Sequence, residues 1–386
     1  MISFDDTATA FESKSDKELK KAKFLFKLMG NDNLMKIGKF LTILALKLKL
    51  PIKRPVKATI FEQFCGGENL EECLPTMKEL GKYNIGSIPD YSVEGKENSY
   101  DFTKTTNEIL NNIQRAKSLE NVPFAVFKVS GITSNKLLAK ATAKKELNEK
   151  ESKELELLKE RIDKICDYSK KADTPVFIDA EETWLQGIID DIALDMMKKY
   201  NQEKAIVYTT VQMYRKDRLQ YIKDMNDLAV EHNFIFGVKL VRGAYLEKEN
   251  ERAEKMGYPS PIQDSKDNTD VDYDLALEFC AENYKKIALV FGSHNERSAI
   301  LLTALMEKYE IPKNHPHMYF SQLFGMSDHI SFKLAKEGYN VAKYLPYGPV
   351  EEVLPYLIRR AEENSSVAGQ SSRELSLLEK EIDRRN

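Results

Sequence analysis

The chain has 386 residues, of which 42% are apolar and 31% are charged, and its formal net charge is −3. This composition is typical of a soluble globular protein that buries a substantial core. A net negative charge argues against a nucleic-acid-binding protein, because such proteins usually present a basic face. Four cysteines without any C-x-x-C pair favour a reducing compartment over a disulfide framework.

The N-terminal sequence MISFDDTATAFESKSD is acidic and polar, which predicts no signal peptide. Residues 33–50 are apolar, but lysines interrupt them, so they form a poor membrane-spanning helix. Two interpretations stay open for this stretch. Its apolar face packs on the main domain, or its lysines hold it at an anionic membrane surface. The lysines concerned are Lys36, Lys39, Lys47 and Lys49.

From residue 58 onward, short apolar runs alternate with longer helical patterns. Several of these runs are apolar on nearly every residue, as parallel strands covered by helices are. The eight predicted strands are ATIFEQF (58–64), PFAVFKVS (123–130), PVFIDAE (175–181), AIVYTTVQ (205–212), FGVKLVRG (236–243), KIALVFGS (286–293), MYFSQLFG (318–325) and YNVAKYLPYG (339–348).

Amphipathic helical patterns lie between these runs, at residues 154–171, 183–200 and 218–232. Eight strand–helix units in about 300 residues match a TIM-like (β/α)8 barrel. A doubly wound sheet is the alternative, but no G-x-G-x-x-G sequence opens any of the helices. The predicted fold is therefore the barrel, over residues 58–364. A helical arm at 1–57 precedes it, and a tail helix at 365–386 follows it.

Two further stretches carry local signals. The lysine- and glutamate-rich residues 134–160 exceed what one crossover needs, and their charge predicts a solvated helical excursion. Near the C-terminus, Ser371-Ser372-Arg373-Glu374 resembles a capping box, which predicts a short charged helix beginning there.

Polar residues gather at the ends of the predicted strands, where the chemistry of a (β/α)8 barrel lies. Lys128 and Asp179 fall on neighbouring strands, so a plain ion pair that closes the barrel mouth would also explain them. The helix after the last strand carries Arg359 and Arg360, which grip one anion only if the helix end overhangs a pocket. The alternative is that both arginines are solvent-exposed surface residues that bind no ligand. The strand ends contain Gly66-Gly67-Glu68, Lys128, Asp179-Ala180-Glu181, Gln212, Lys239, Gly243-Ala244-Tyr245, Ser293-His294-Asn295, Gln322 and Tyr344.

Two other chemistries are weaker. Asp179, Glu181 and His294 have side chains that bind metals, but the ligand number and geometry fall short. His315 and His317 precede their strand and so lie at the opposite rim. A nucleophile is not indicated, since G-x-S-x-G is absent and no cysteine has an evident histidine partner. The residues alone predict a barrel enzyme with an anion clamp and name no cofactor.

Five segments, taken in order, resemble the proline dehydrogenase family. The last is the most specific, because its strand end, turn, helix and double arginine all match. The single-function enzymes are more similar than the large bifunctional type. The resemblance implies a distorted (β/α)8 barrel that holds FAD at the strand ends without a Rossmann fingerprint. The segments are FIDAEET (177–183), VKLVRGAYLEKE (238–249), SHNE (293–296), YFSQLFGM (319–326) and YLPYGPVEEVLPYLIRRAEENSS (344–366).

The resemblance also implies how the substrate, L-proline, is held. Arg359 and Arg360 would bind its carboxylate, and Tyr344 would pack over its ring. Because of its bulk, Tyr344 should disfavour a ring hydroxyl, which opposes the alternative of a hydroxyproline dehydrogenase.

Four more residues would surround the same substrate. Lys128 and Asp179 would lie under it. Glu68 would pair with Arg359 as a gate. Glu363, four residues after Arg359 on one helix, would orient the guanidinium.

The flavin would be bound by a second set of residues. In this set Gly243 would let the backbone approach the phosphates, and Lys266 would add positive charge. Lys239 stands where many bacterial relatives have arginine near the flavin N5, which predicts a retuned reduction potential. Leu246 replaces an aromatic residue of some relatives. The set is Gln212, Lys239, Val241, Gly243, Lys266, His294 and Gln322.

The implied reaction is hydride transfer from the proline ring carbon beside the nitrogen to the flavin, giving Δ1-pyrroline-5-carboxylate. Electrons would then pass to a membrane quinone. A metal-dependent barrel lyase and a non-catalytic barrel scaffold are the rivals from other classes. Because no transit peptide is visible, we expect the protein in a bacterial cytoplasm, and peripheral contact with the inner face of the membrane is the open alternative.

Overall fold

The computed structural model describes residues 2–31, 38, 48, 52–91, 99–119, 121–366 and 370–386. Its central element is one eight-stranded sheet. The strands are β1 (Ile85–Tyr91), β2 (Ala125–Lys128), β3 (Val176–Asp179), β4 (Val207–Gln212), β5 (Phe236–Val241), β6 (Ile287–Gly292), β7 (Met318–Leu323) and β8 (Val341–Tyr347).

The strand order in the sheet is β1-β8-β7-β6-β5-β4-β3-β2, which leaves β1 and β2 at its two ends. Neighbours from β2 to β7 pair in parallel and in chain order. Parallel strands in chain order with helices between them are the topology of a (β/α)8 barrel, so the predicted fold is confirmed. The carboxyl ends of β3, β4 and β5 consequently meet at one edge.

Helices occupy the connections between the strands. A π-type segment, Lys57–Phe61, joins the third helix to the fourth, and a 3₁₀ turn, Val129–Gly131, follows β2. The helices of the described residues are α1 (Thr7–Ala10), α2 (Asp16–Met29), α3 (Lys53–Val56), α4 (Glu62–Phe64), α5 (Leu70–Gly81), α6 (Ser99–Ser118), α7 (Asn135–Thr142), α8 (Glu149–Ala172), α9 (Thr183–Tyr200), α10 (Arg218–Glu231), α11 (Leu246–Met256), α12 (Lys266–Glu282), α13 (Glu296–Lys308), α14 (Asp328–Lys336), α15 (Val350–Ser366) and α16 (Gln370–Arg385).

The first predicted strand, at residues 58–64, is wrong, because this stretch is helical. Phe61 and Phe64 are both buried and lie three residues apart, which is the spacing of one helical face. Thr59 Oγ1 donates to the carbonyl of Pro55, one helical turn earlier. The first strand is instead β1, IGSIPDY, which contains glycine and proline. Burial of its first five residues outweighs this weak local preference for a strand.

Gly66 and Gly67 therefore do not end a strand, yet they lie beside the end of β8. The amide of Gly66 donates to the carbonyl of Pro346 at 2.9 Å. Gly67 forms an isolated parallel bridge with Tyr347. Gly66-Gly67-Glu68 was predicted to follow the first strand. In the structure this segment instead lies beside the carboxyl end of β8.

The three helical patterns predicted between the strands are confirmed. Residues 183–200 coincide with α9, and residues 218–232 end one residue after α10. Residues 154–171 lie inside α8, which begins earlier because Asn148 and Glu151 form a capping box.

The two other local predictions are confirmed as helices and corrected in one respect each. Residues 134–160 form α7 and the first part of α8, but they are only partly solvated, because α7 buries Leu137 and Leu138 and α8 buries Leu158. The tail helix α16 begins at Gln370, before the predicted capping box. The carboxylate of Glu374 is buried and accepts a hydrogen bond from the amide of Ser327, so it does not cap its own helix.

The chain divides into two compact units. One contains Gly95–Ser321 and Gly338–Ala342, and the other contains Ile2–Glu94, Gln322–Glu337 and Lys343–Asn386. In the second unit α2, α4, α15 and α16 share one apolar core. The domain boundaries predicted at 57/58 and 364/365 stay a prediction.

No helix within the described ranges is both long and apolar enough to cross a membrane. Residues 33–50, with their two interpretations, fall outside the described residues except for Gly38 and Leu48. All four cysteines, Cys65, Cys73, Cys166 and Cys280, are free and buried.

Candidate active site

The ends of β3 and β5 are joined by an ion pair between Asp179 and Lys239. Lys239 Nζ lies 2.5 Å from Asp179 Oδ1 and 4.9 Å from the ring centroid of Phe177. Thr210 Oγ1 donates to the same carboxylate oxygen at 3.3 Å. Lys239 is only 4% exposed, and a lysine buried to this degree needs a paired anion. The structure thus joins two residues that the resemblance assigned to different ligands, the substrate and the flavin.

Lys128 ends β2, and its Cα pairs in register with that of Asp179. The expectation that these residues are neighbours is confirmed. The sequence did not predict Lys239 as a partner of Asp179, because it lies two strands away. Lys128 is also close enough to Glu181 for its charge to oppose the rise that burial causes in the pKa of that carboxyl group.

Glu181 follows β3 and is buried. Burial raises the pKa of its carboxyl group, although a hydrogen bond from Ser130 and the charge of Lys128 both oppose this effect. The amide of Ser130 donates to Glu181 Oε1 at 2.7 Å. Glu181 therefore has a protein partner and connects the ends of β2 and β3.

Gln212 ends β4 and fixes the turn that follows β5. Its Nε2 donates to the carbonyl of Glu181 at 2.8 Å, and its Oε1 accepts from the amide of Ala244 at 3.1 Å. The carbonyl of Val241 accepts from the amide of Met213 at 2.8 Å. These bonds place Gln212 and Val241, both predicted to bind the flavin, at the same edge.

Gly243 has a φ of +136°, which L side chains rarely adopt. A Cβ at this position would lie 2.5 Å from the ring of Tyr214. The need for glycine is therefore explained by the Tyr214 ring packed against the turn. Close approach of the flavin phosphates to Gly243 stays a prediction.

Arg242 stabilises the same turn from the other side. Its Nε donates to Asp270 at 2.5 Å, its Nη1 to Ser293 Oγ at 2.6 Å and its Nη2 to Ser298 Oγ at 3.0 Å. The guanidinium also lies 4.3 Å from the ring centroid of Tyr273. One side chain thus connects the end of β5 to α12, to the loop after β6 and to α13.

Lys266 is the first residue of α12, and its Nζ lies 2.6 Å from Asp270. Burial would raise the pKa of Asp270, but hydrogen bonds from Lys266 and Arg242 outweigh it and hold the pKa below its usual range. Two cations therefore share one carboxylate near the N-terminus of α12, whose first turn also contains Asp267. His294 lies half-buried in the nearby loop between β6 and α13.

This donor set fits a flavin dinucleotide. Arg242 and Lys266, with the amides at the start of α12, are groups of the kind that bind a pyrophosphate. The ammonium of Lys239 and the amide of Gln212 lie at the strand ends, where an isoalloxazine ring needs hydrogen-bonding groups.

In the second unit, β7 and β8 carry two predicted residues. Gln322 is buried, and its Oε1 accepts from Ser331 Oγ at 2.9 Å. Tyr344 is 7% exposed on β8. Its neighbour Lys343 extends from the opposite face of the strand, where its Nζ lies 2.7 Å from Asp328.

The two adjacent arginines of α15 differ in burial. Arg360 is 9% exposed, and its guanidinium carbon lies 5.4 Å from the ring centroid of Tyr356. Arg359 is partly exposed. A guanidinium buried as deeply as that of Arg360 is not surface decoration. Glu363 lies on the same helix, but its side chain is outside the described residues.

Glu68 has two lysine partners. Lys53 Nζ lies 2.7 Å and Lys57 Nζ lies 2.6 Å from its carboxylate oxygens. Hydrogen bonds from Lys53 and then Lys57 lower the pKa of Glu68 to about 2. Pairing with Arg359 as a gate stays a prediction, and these lysines would compete with it.

In the part of the chain that the structure describes, no three His, Cys, Asp or Glu side chains are grouped to hold a metal ion. His315 and His317 lie before β7, as predicted, and burial lowers the pKa of both. His315 Nδ1 accepts from the amide of His317 at 3.2 Å.

Sequence reasoning missed Thr210, Arg242 and Asp270. Only Arg242 carried a signal, because it is a cation directly before Gly243 in a matched segment. Thr210 faces inward because of the strand period, and Asp270 is visible only once α12 is packed beside β5.

A family model described as "Proline dehydrogenase" matches residues 73–373. The chain is 34% identical over 322 residues to the carbapenem antibiotics biosynthesis protein CarD of Pectobacterium carotovorum, covering 83% of each chain. It is 32% identical to proline dehydrogenase 1, mitochondrial, of Dictyostelium discoideum, covering 98% of this chain and 74% of the relative.

The structure is also similar to the crystal structure of proline utilization A from Bdellovibrio bacteriovorus, with a TM-score of 0.75 and 21% identity. The match covers 96% of this chain and 40% of that one, so the chain spans about two fifths of the solved protein. At this identity the likeness shows the fold. Because the family model covers most of the chain, the protein belongs to the proline dehydrogenase family of oxidoreductases, which act on proline.

Proposed function

We propose that this chain uses FAD to oxidise L-proline to Δ1-pyrroline-5-carboxylate and passes the electrons to a membrane quinone. The observation that carries the proposal is the family match over residues 73–373, which includes all the strand ends from β3 to β8. The reaction breaks the C–H bond of the ring carbon beside the nitrogen and forms a C=N bond. The reacting form of proline is the neutral amine, whose nitrogen carries one proton. Loss of the hydride gives a cationic C=N group, and release of that proton to solvent gives a neutral imine with the carboxylate retained.

When bound, the flavin supplies the acceptor for the hydride and later delivers two electrons to the quinone. The protein's task is to hold it. Lys266 and Arg242 place positive charge near the phosphates, and Gln212 fixes the turn at Gly243. Lys239, held by Asp179, presents a buried ammonium to the ring system. His294, Val241 and Gln322 complete the proposed set.

The substrate side of the proposal concerns orientation. Arg359 and Arg360 bind the carboxylate, since planar guanidinium groups match a carboxylate oxygen pair. Tyr344 packs over the ring, and Lys128 and Asp179 lie beneath it. Glu363 orients Arg359, and Glu68 pairs with Arg359 when the site is closed.

Electron transfer to a quinone requires an encounter with a membrane. The lysines of residues 33–50 are the proposed contact, by attraction to anionic lipids. Neutralising them should reduce binding to anionic vesicles, as should added salt. Turnover with a soluble electron acceptor should be retained.

The direct test is the visible absorption spectrum of the purified protein. We expect a flavin spectrum that bleaches when L-proline is added without oxygen, and FAD should be released on denaturation. A flavin spectrum that bleaches equally fast with 4-hydroxyproline would favour the hydroxyproline alternative. Colourless protein that gains activity from a divalent metal would refute the proposal and support a lyase.

A further inference from the structure

The N-terminus of α9 is capped by a residue from another helix. Glu182 occupies its N-cap position but makes no capping hydrogen bond. Instead the carboxylate of Glu249, on α11, accepts from the amide of Thr183 at 2.7 Å and from Thr183 Oγ1 at 2.6 Å. Glu249 is fully buried. A helix start normally satisfies its amides locally, so this long-range cap needs a reason.

Two further contacts attach α11 to the same helix start. Lys248 Nζ lies 3.0 Å from Glu182 Oε1. The guanidinium of Arg252 lies 4.6 Å from the ring centroid of Trp184, the chain's one tryptophan. The N-cap residue and the first two residues of α9 are thus held by residues 248–252 of α11.

The docked helix begins three residues after Gly243, so its position decides the position of the turn. Tyr214, whose ring packs on Gly243, is also affected. Burial raises the pKa of Tyr214, and the nearby carboxylate of Glu249 raises it further. Glu249 therefore supports the turn through α11 and lies close to the ring that covers it.

A local cap would have stabilised α9 at lower cost. Serine, threonine or aspartate at position 182 would satisfy the first amides locally, without requiring the fully buried carboxylate of Glu249. The buried Glu249 stabilises α9 only when α11 is docked. The arrangement couples the helix start after β3 to the turn after β5, which a local cap cannot do.

We propose that Glu249 is a positioning residue for the flavin-binding turn, because its capping of α9 holds α11 and Gly243–Tyr245 in the conformation that binds the flavin phosphates. This inference rests on the proposed binding of FAD at that turn. It predicts that loss of the cap weakens flavin retention beyond any general loss of stability.

The test compares Glu249→Ala, Glu249→Gln and Thr183→Val in the full chain. FAD is titrated into flavin-free protein to obtain its Kd, and urea unfolding gives stability. Glu249→Ala should raise the Kd at least about tenfold, the scale of losing hydrogen bonds to a charged group. Glu249→Gln retains the shape and can bond both groups, so its Kd should stay near that of the wild type. Thr183→Val loses one of the two bonds and should fall between.

Trp184 gives a second readout that does not depend on flavin. If α11 leaves α9 in Glu249→Ala, the emission of the flavin-free protein should shift to longer wavelength as water reaches the indole. Asn148→Ala is the matched control, since it removes the cap of α8, where Asn148 Oδ1 accepts from the amide of Glu151 at 2.9 Å. This variant should lose stability and retain the wild-type Kd.

The outcomes separate the inference from the proposed function. Wild-type protein that binds no FAD overturns the proposed function and this inference with it. Wild-type protein that binds FAD, together with an unchanged Kd in Glu249→Ala, overturns the inference alone and makes Glu249 a structural cap. If Glu249→Ala does not fold, an unchanged Kd in Thr183→Val has the same meaning.

Discussion

Each compact unit contains a buried lysine–aspartate pair, and the two pairs differ in what surrounds them. Lys239 lies 2.5 Å from Asp179 in the first unit, and Lys343 lies 2.7 Å from Asp328 in the second. The pairs resemble each other in distance and burial. The second aspartate also bonds Lys14 at 3.1 Å, so each of its oxygens has its own cation.

The surroundings indicate different roles. Lys343 also donates to the carbonyl of Met326 at 2.7 Å, which ties β8 to the start of α14. Burial would raise the pKa of Asp328, but Lys14 and Lys343 hold it well below the usual range. That pair anchors the fold. The Asp179–Lys239 pair instead lies where three strands end, beside the proposed flavin turn, so burial alone does not distinguish an anchor from a functional pair.

The largest expected effect is on the anchoring pair. Asp328→Asn leaves two cations without their buried anion and should lower the free energy of unfolding by about 3–5 kcal/mol. Urea unfolding at neutral pH measures this loss. Turnover per folded molecule should change little, and a stable variant with impaired turnover would break the comparison.

The same pair predicts an acid dependence. Because the folded pKa of Asp328 is lowered, its contribution to stability is present above the unfolded value of about 3.9 and is lost as the pH falls below it. As the pH is lowered below about 4, the wild type should therefore lose more stability than Asp328→Asn. Parallel pH profiles of the two proteins would contradict the assignment.

The next effect concerns the adjacent arginines. Arg359→Met and Arg360→Met should each lower kcat/KM for proline by a factor equivalent to about 2–5 kcal/mol of transition-state free energy. The reason is that the substrate carboxylate loses a buried partner. Binding of carboxylate inhibitors should weaken in parallel while FAD stays bound. Arg373→Met, which removes an exposed pair with Asp5, is the control and should be nearly silent. If both variants bind proline and carboxylate inhibitors as tightly as the wild type, the two arginines do not bind the substrate carboxylate.

Asp179→Asn is the counterpart of Asp328→Asn in the first unit. We expect proline to reduce the flavin more slowly, with an activation free energy higher by about 1.5–3 kcal/mol. The reason is that the amide no longer holds the Lys239 ammonium as a charged pair. The flavin absorption maximum should also shift. Anaerobic stopped-flow measurement decides this, and loss of stability with an unchanged reduction rate would make Asp179 a second anchor.

Tyr344 and its neighbour on β8, Lys343, are expected to have different roles, in substrate specificity and in stability. Tyr344→Ser should reduce the preference for proline over 4-hydroxyproline by about 1–3 kcal/mol, since it empties one pocket. The ratio of kcat/KM for the two substrates is the measurement. Lys343→Met should lower stability without changing that ratio, and an unchanged ratio in Tyr344→Ser would remove the specificity role.

The smallest effect is expected at the exposed cluster around Glu68. Lys57→Met should raise the pKa of Glu68 from about 2 toward its usual value, as one of its two lysine partners is lost. The stability that this carboxylate contributes is present above its unfolded pKa and lost as the pH falls toward 2. NMR titration of the Glu68 carboxyl follows the change. An unaltered titration would show that Lys53 alone accounts for the shift.

Most of the barrel could be predicted because seven strands are short, mainly apolar runs, several of them apolar on nearly every residue, and burial on both faces leaves that pattern in the sequence. β1 could not be predicted, since Gly86 and Pro89 weaken its local signal and only its neighbours in the sheet make it a strand. The strand predicted at residues 58–64 was wrong for the opposite reason, because its local signal for a strand was too strong. Their aromatic residues suit both a strand and a short helix, and periodicity does not separate the two over seven residues.

The candidate site was predicted unevenly. Residues at strand ends, such as Gln212 and Lys239, follow from the topology and from matched segments. Their partners do not, because Asp179 and Lys239 are 60 residues apart, and Thr183 and Glu249 are 66 apart. Single-sequence patterns report local periods, whereas these contacts depend on how strands and helices are packed.

The buried cysteines have a consequence for an enzyme that handles electrons. Peroxide oxidises a thiolate much faster than a thiol, and it must also reach the sulfur. Burial raises the pKa of Cys73 to about 12 and raises the pKa of Cys65, Cys166 and Cys280 further. All four stay protonated and shielded while the fold is intact. Peroxide formed by stray reduction of oxygen at a bound flavin would therefore meet no reactive thiol among the four cysteines.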